Sequence, residues 1–203
     1  MKVIGLTGQT GAGKGAFCKV LEKYGIPFLD TDKTAREVVG KGSPCLLELC
    51  RHFGNGILND DGTLNRKALG NIAFADKHEL EVLNSITHKY ITQRINLWLS
   101  VQKKLGFCAA VIDAPQLFES GAVNMCDVTV ALIADEKTRL SRIIDRDGID
   151  EEYAKKRMAS QNDESFFIEK CDYVIYNNGS EKELEEETVA FLKKNILHFT
   201  EDK

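Results

Sequence analysis

Three prolines in 203 residues, with no Pro/Gly/Ser-rich tract and no internal repeat, leave neither a linker at which to divide the chain nor a solenoid to build. Six cysteines (Cys18, Cys45, Cys50, Cys108, Cys126 and Cys171) never fall into a C-x-x-C pair, which disfavours a zinc site and a disulfide framework and leaves reduced, packed thiols. No stretch of about 18 apolar residues exists, and "MKVIGLTG" enters a strand pattern at once, so neither a membrane partner nor a signal segment is expected, and a cytoplasmic location is. The net charge is −4 with no block of lysine or arginine, which argues against nucleic acid as a partner. No obligatory protein partner is evident either. What remains is 43% apolar and 29% charged residues, an ordinary globular composition with room for one domain and one cleft.

Five short β-branched runs stand out: "KVIGLT" at 2–7, "PFLD" at 27–30, "AAVIDA" at 109–114, "VTVALIA" at 128–134 and "DYVIY" at 172–176. Nearly continuous apolar runs separated by helical patterns predict a parallel sheet covered on both faces. Ala16, Phe17, Val20, Leu21 and Tyr24 repeat at helical spacing after Gly13, and Gly25 closes that helix. A long helix is predicted from Glu79 to Leu105, a further helical stretch from Asp135 to Ser165, and a C-terminal helix with acids first and lysines last. With no strand between Asp30 and Cys108, a helical insertion is expected at the carboxyl end of the sheet, where α/β proteins bind ligands.

The turn between the first run and the first helix reads "GQTGAGKG". Gly8, Gly13 and Lys14 satisfy G-x-x-x-x-G-K, and the strand before and helix after supply the context the motif needs. Such a turn converges backbone N–H groups on a phosphate, the helix N-terminus adds favourable potential, and Lys14 would neutralise the outer phosphates. Gly15 departs from the pattern, because serine or threonine there normally supplies a hydroxyl to Mg²⁺. Magnesium takes few protein ligands and keeps several waters, so phosphate binding should survive with weaker metal affinity. After the second run, "LDTDKTAR" places Asp30 and Asp32 at a strand's carboxyl end. Asp32 is the preferred base or metal-holding carboxylate, and the competing reading is that the two aspartates cap a helix. No N-K-x-D string occurs, which disfavours a GTPase.

"GLTGQTGAGKG", "DTDKTAR", "DGTLNRKALGNIAFAD", "ITHKYI", "APQLFESG", "RIIDRDG", "RMASQ" and "DYVIYNNG", in that order, resemble the dephospho-coenzyme A kinases over essentially the whole chain. The resemblance implies an α/β P-loop NTPase fold, a five-stranded parallel sheet flanked by helices, with a helical acceptor-binding insertion and a helical lid. It implies one domain over 1–203: core about 1–40, 106–140 and 166–203, acceptor region about 41–105, lid about 141–165. The implied reaction is phosphorylation of the ribose 3′-hydroxyl of dephospho-CoA by ATP with Mg²⁺, the last step of coenzyme A synthesis. Gly8, Gly11, Ala12, Gly13, Lys14, Gly15 and Ala16 would then carry the ATP phosphates, with Asn177 in the adenine-side loop. Asp32 would be the base or metal carboxylate, with Asp113 a possible outer-shell magnesium partner. Arg36, Arg66, Phe74, His88, Pro115, Leu117, Phe118 and Glu119 would face or shape the acceptor, and Arg142 and Arg146 would close on ATP from the lid, whose end carries Arg157 and Gln161. Lys89 stands where the family usually has proline, which bears on the turn at His88. A non-catalytic nucleotide-binding protein, or a kinase for another small acceptor, are the alternatives.

Overall fold

The computed structural model describes residues 1–196, so the last part of the expected core segment, 197–203, lies outside the described residues. The chain divides into two compact units, Met1–Leu29 with Gln102–Lys203, and Asp30–Val101. In the first unit β1 (Lys2–Gly8) is followed by α1 (Lys14–Lys23) and β2 (Phe28–Asp30), and β3 (Ala109–Asp113) and β4 (Val128–Ile133) return after the second unit. α6 (Glu136–Asp147), α7 (Glu151–Ala159), α8 (Glu164–Lys170), β5 (Tyr173–Tyr176) and α9 (Glu181–Asn195) complete it. The parallel sheet has the order β2-β3-β1-β4-β5, which puts β1 at its centre.

The register explains the unbroken apolar runs. β1 pairs with β3 from Lys2 opposite Ala109 to Leu6 opposite Asp113, and with β4 from Ile4 opposite Val128 to Gly8 opposite Leu132. On one face Ile4, Leu6, Val111, Val130 and Leu132 pack with Phe17 and Leu21 of α1 and Phe191 and Leu192 of α9. On the other, Ala131 and Ile133 pack with Phe167 of α8. Alternate residues therefore bury in opposite directions, and the inner strands β1, β3 and β4 have no solvent-facing side.

The stretch read as helical from Asp135 to Ser165 contains two complete helices and the start of a third. α6 ends where Gly148 adopts a left-handed conformation (φ 64°), and Asp150 and Asp163 cap α7 and α8 by accepting from Tyr153 N and Phe166 N. α6 and α7 pack through Ile143, Ala154 and Met158. α9 opens with a reciprocal capping box between Ser180 and Glu183.

The second unit is helical: α2 (Thr31–Val38), α3 (Pro44–Phe53), α4 (Arg66–Ala73) and most of α5 (Lys77–Lys104). Val39, Cys45, Leu49, Ile57 and Leu69 form its core, with Leu83, Ile86 and Tyr90 of α5 packed on them. Ser43 caps α3 with Pro44 in its first turn, and Asn65 caps α4. Lys89 lies in mid-α5, where its amide N–H keeps a continuous helix that proline would interrupt. Its Nζ meets Glu48 Oε2 at 2.7 Å, and the same carboxylate accepts from the Tyr90 hydroxyl, fastening α5 to α3. Burial pushes the thiols of Cys45 and Cys171 up to about 11 and that of Cys126 to about 12, which keeps them protonated. Among the described residues no helix is long and apolar enough to cross a membrane.

Candidate active site

The turn between β1 and α1 sorts its own amides into two sets. Gln9 N donates to Leu132 O (3.2 Å), Ala12 N to Gln9 O (3.1 Å), and Thr10 N to Gln161 Oε1 (2.7 Å). The amides of Gly11, Gly13, Lys14 and Gly15 have no partner among the described residues. These free donors sit at the N-terminus of α1, where the helix field also favours an anion. Lys14 is half-buried, and its Nζ makes no hydrogen bond or ion pair among the described residues.

The carbonyl side of the turn is braced from behind. Asn177, buried after β5, donates Nδ2–H to Ala12 O (2.8 Å), and Arg142 of α6 donates Nη1–H to Asn177 O (2.9 Å) and, at a long 3.5 Å, to Gly11 O. A Cβ on Gly13 (φ 100°) would stand 2.2 Å from Asn177 Nδ2, and one on Gly11 (φ 77°) 2.7 Å from Arg139 O, so both positions need glycine for backbone conformation and for space. Holding the carbonyls back points the amides the other way, which is what an anion nest requires. Ala12 and Ala16 spend their own amides inside the turn and helix, Ala16 N on Gly13 O (2.9 Å). Gly15 is exposed, with nothing within 4 Å of where a Cβ would be.

Arg146 does not touch the turn. Its Nε and Nη2 grip the carboxylate of Asp147 at 2.7 and 2.9 Å, and Arg157 Nη1 of α7 reaches Asp147 Oδ2 at 2.7 Å. Hydrogen bonding from Arg146 first, then the charges of both arginines, holds the Asp147 carboxyl down at about 2. Because the folded value is depressed from 3.8, this fastening of α6 to α7 is present above about pH 4 and lost as pH falls towards 2. Asp147→Asn is therefore expected to lower the Tm at pH 7, with the difference from the native protein shrinking below pH 4. A thermal-denaturation series against pH checks it, and a gap that stays constant through pH 3 contradicts it.

After β3, Asp113 lies at the strand's carboxyl end with Oδ2 3.9 Å from Cys18 Sγ. Pro115 O accepts from Thr7 Oγ1 (3.2 Å), Phe118 meets Phe166 edge-on with ring centroids 5.6 Å apart, and Glu119 accepts from Asn162 Nδ2 (2.7 Å). Leu117, expected on the acceptor wall, is fully buried and fills the space above Gly5, where a Cβ would come within 2.8 Å of it. Its task is to fix this segment on β1.

In the helical unit Asp30 caps α2 through Lys33 N (3.0 Å), whereas Asp32 stands exposed in the first turn, and Arg36 follows one turn later on the same face. Arg66 opens α4, Phe74 ends it with 78% of its surface exposed, and His88 is half-buried on α5. Asp32, Arg36, Arg66 and His88 make no hydrogen bond or ion pair among the described residues. Their polar atoms are unspent, as groups reserved for a ligand would be.

Asp147 and Gln9 were not singled out from sequence. Asp147 sits inside "RIIDRDG", where its neighbour Gly148 marks the helix end, but its hold on Arg157 depends on the α6–α7 packing. Gln9 is 5% exposed with Oε1 lacking a partner among the described residues, and with Arg139 and Gln161 it lines a cavity of about 510 Å³. Burial lowers the pKa of the Arg139 guanidinium there.

A lysine-led nest of amides between the central strand and first helix of a parallel sheet, with arginine-bearing helices beyond it, defines a P-loop kinase. A sequence model described as Dephospho-CoA kinase matches residues 2–183, and the chain belongs to that family. A dephospho-CoA kinase of Shouchella clausii is 40% identical over 179 residues, 88% of this chain and 91% of the relative. Among solved structures, a Thermus thermophilus protein superposes with a TM-score of 0.77 at 28% identity, covering 95% of this chain and 97% of that one. A dephospho-CoA kinase from Campylobacter jejuni gives 0.70 at 26%, covering 96% and 97%.

Proposed function

We infer that this chain transfers the terminal phosphoryl group of ATP to the ribose 3′-hydroxyl of dephospho-CoA, forming CoA and ADP as the last step of coenzyme A synthesis. The observation that carries the reading is the set of four unpartnered amides at Gly11, Gly13, Lys14 and Gly15 in a member of this family. In the proposed assignment these amides take the phosphates, with Lys14 neutralising the outer two. Gly8 sets the start of the loop, and Ala12, Ala16 and Asn177 keep its shape from within. Asp32 receives the proton of the attacking hydroxyl. Arg36, Arg66, Phe74 and His88 are the acceptor contacts proposed in the helical unit, and Pro115, Phe118 and Glu119 those proposed after β3. On closure of the lid, Arg142 and Arg146 exchange their present partners, Asn177 O and Asp147, for the charge of the migrating group, and the lid excludes water as a rival acceptor. The cytoplasm is the proposed compartment.

Magnesium fits the residues present as a nucleotide-borne ion. The open space at Gly15 admits a water in place of the missing hydroxyl, and Asp113 and Asp32 supply carboxylates of the kind magnesium accepts. When bound, the ion would supply positive charge that draws off the charge developing during transfer. Gly15→Ser introduces a side chain without a clash and improves α1 by a few tenths of a kcal/mol. Half-saturation of turnover by Mg²⁺ is expected to fall about 10-fold, the low end for one supporting group in a metal site. An unmoved Mg²⁺ titration removes the metal role of this position.

The function itself is tested by coupled detection of ADP on adding dephospho-CoA to protein, ATP and Mg²⁺. Release dependent on dephospho-CoA is the expected result. Calorimetric ATP binding without turnover would instead establish the non-catalytic alternative, and turnover only with another hydroxyl compound would reassign the acceptor.

A further inference from the structure

The end of α7 is tied to the phosphate loop by a side chain. Among the described residues, Thr10 is the only position from Gln9 to Gly15 whose amide donates to a side chain, and that side chain is Gln161, two residues past α7. The next residue, Asn162, donates Nδ2–H to Glu119 Oε1 (2.7 Å). α7 itself is joined to α6 by the Ile143, Ala154 and Met158 seam and by Asp147 between Arg146 and Arg157. The two arginine-bearing helices are thus joined to each other; α6 meets the loop directly, with Arg139 O beside Gly11 and Arg142 on Gly11 O, whereas α7 is tied to it just past its end. Packing does not fix that end, because the cavity of about 510 Å³ lies between Gln9 of the loop and Met158, Ala159 and Gln161.

We propose that Gln161 is a positioning residue for phosphoryl transfer: its Oε1, by accepting from Thr10 N, registers the end of α7, and through it the Arg146–Asp147–Arg157 cluster, against the free amides of the phosphate loop. The proposal rests on the phosphoryl-transfer reading above. Gln161 acts through the loop and the helices, so its loss leaves the amides of Gly11, Gly13, Lys14 and Gly15 and the Lys14 ammonium in place. ATP still binds. What suffers is alignment of the arginines with the migrating group, and an ångström of misplacement costs on the order of 10²-fold in rate.

The test compares Gln161→Met, which keeps the length and loses the oxygen, with Gln161→Glu, which keeps an acceptor oxygen. For Met, kcat is expected to fall about 10- to 100-fold, with KM for ATP within about 3-fold of native, and Glu is expected to recover a substantial part of the loss. Hydrogen exchange at the Thr10 amide is expected to quicken in the Met variant and not in the Glu variant. Native kcat in Gln161→Met overturns the proposal, as does a rise in KM with kcat unchanged. A Glu variant no better than Met also overturns it, by moving the effect to the amide's N–H end. If the native protein released no ADP with dephospho-CoA, the transfer reading would fall on its own. The contact is then judged by exchange, and unchanged Thr10 protection in Gln161→Met rejects it.

Discussion

Replacing Lys14 with methionine is expected to lower kcat for ATP-dependent phosphorylation of dephospho-CoA by about 10²–10³-fold, the usual loss on removing one group aimed at developing charge. The reasoning starts from what Lys14 does not do. Its ammonium has no hydrogen bond or ion pair among the described residues, so its removal leaves no protein group orphaned. Methionine keeps the aliphatic stem of this half-buried side chain, so the first turn of α1 retains its contacts. Thermal stability should change by no more than about 2 °C, the low end of the shift that ~1 kcal/mol produces in a chain of this size. Arginine should rescue poorly, because its planar fork cannot occupy the point at which a compact ammonium meets two phosphates. Coupled ADP detection with scanning calorimetry checks both halves. Native turnover in Lys14→Met would refute the assignment of Lys14, and a large fall in Tm would show that its role is to hold the fold.

The elements that sequence renders well here are those with a local cause. Apolar residues alternate burial on strands covered from both sides, so the runs containing Ile4, Val111 and Val130 read as parallel strands before any contact is known. The phosphate loop is legible because its job is done by backbone, and backbone geometry of this kind is written as Gly11 and Gly13. What sequence leaves illegible is the partnership between segments. Arg142 and Arg146 lie one turn apart in one string, yet the first braces the loop through Asn177 O while the second spends its guanidinium on Asp147. The contact of Arg146 is local, to the next residue, whereas that of Arg142 depends on the approach of the segment after β5, 35 positions away. Leu117 is the same lesson in apolar form: it sits in a motif proposed to face the acceptor, and the absence of a side chain at Gly5 draws it into the core. Lys89 shows the converse, where an unexpected residue is accommodated by Glu48, 41 positions away in sequence.

Asp32→Asn is expected to lower kcat by about 10²–10⁴-fold, the range for losing a general base, with KM for ATP little changed. Its neighbour provides the control. Asp30 and Asp32 are chemically identical and two residues apart, but Asp30 Oδ1 accepts from Lys33 N at 3.0 Å and caps α2, while the Asp32 carboxylate has no partner among the described residues. Asparagine caps a helix about as well as aspartate, so Asp30→Asn should retain both fold and activity to within about 3-fold. Asp30→Ala should lose ~1 kcal/mol of stability and little turnover. The pattern separates the capping reading of "LDTDKTAR" from the catalytic one. Capping requires Asp30→Ala to be the costly change and Asp32→Asn to be silent, whereas proton acceptance requires Asp32→Asn to be costly at unchanged Tm. Near-native kcat in Asp32→Asn assigns the proton to another group.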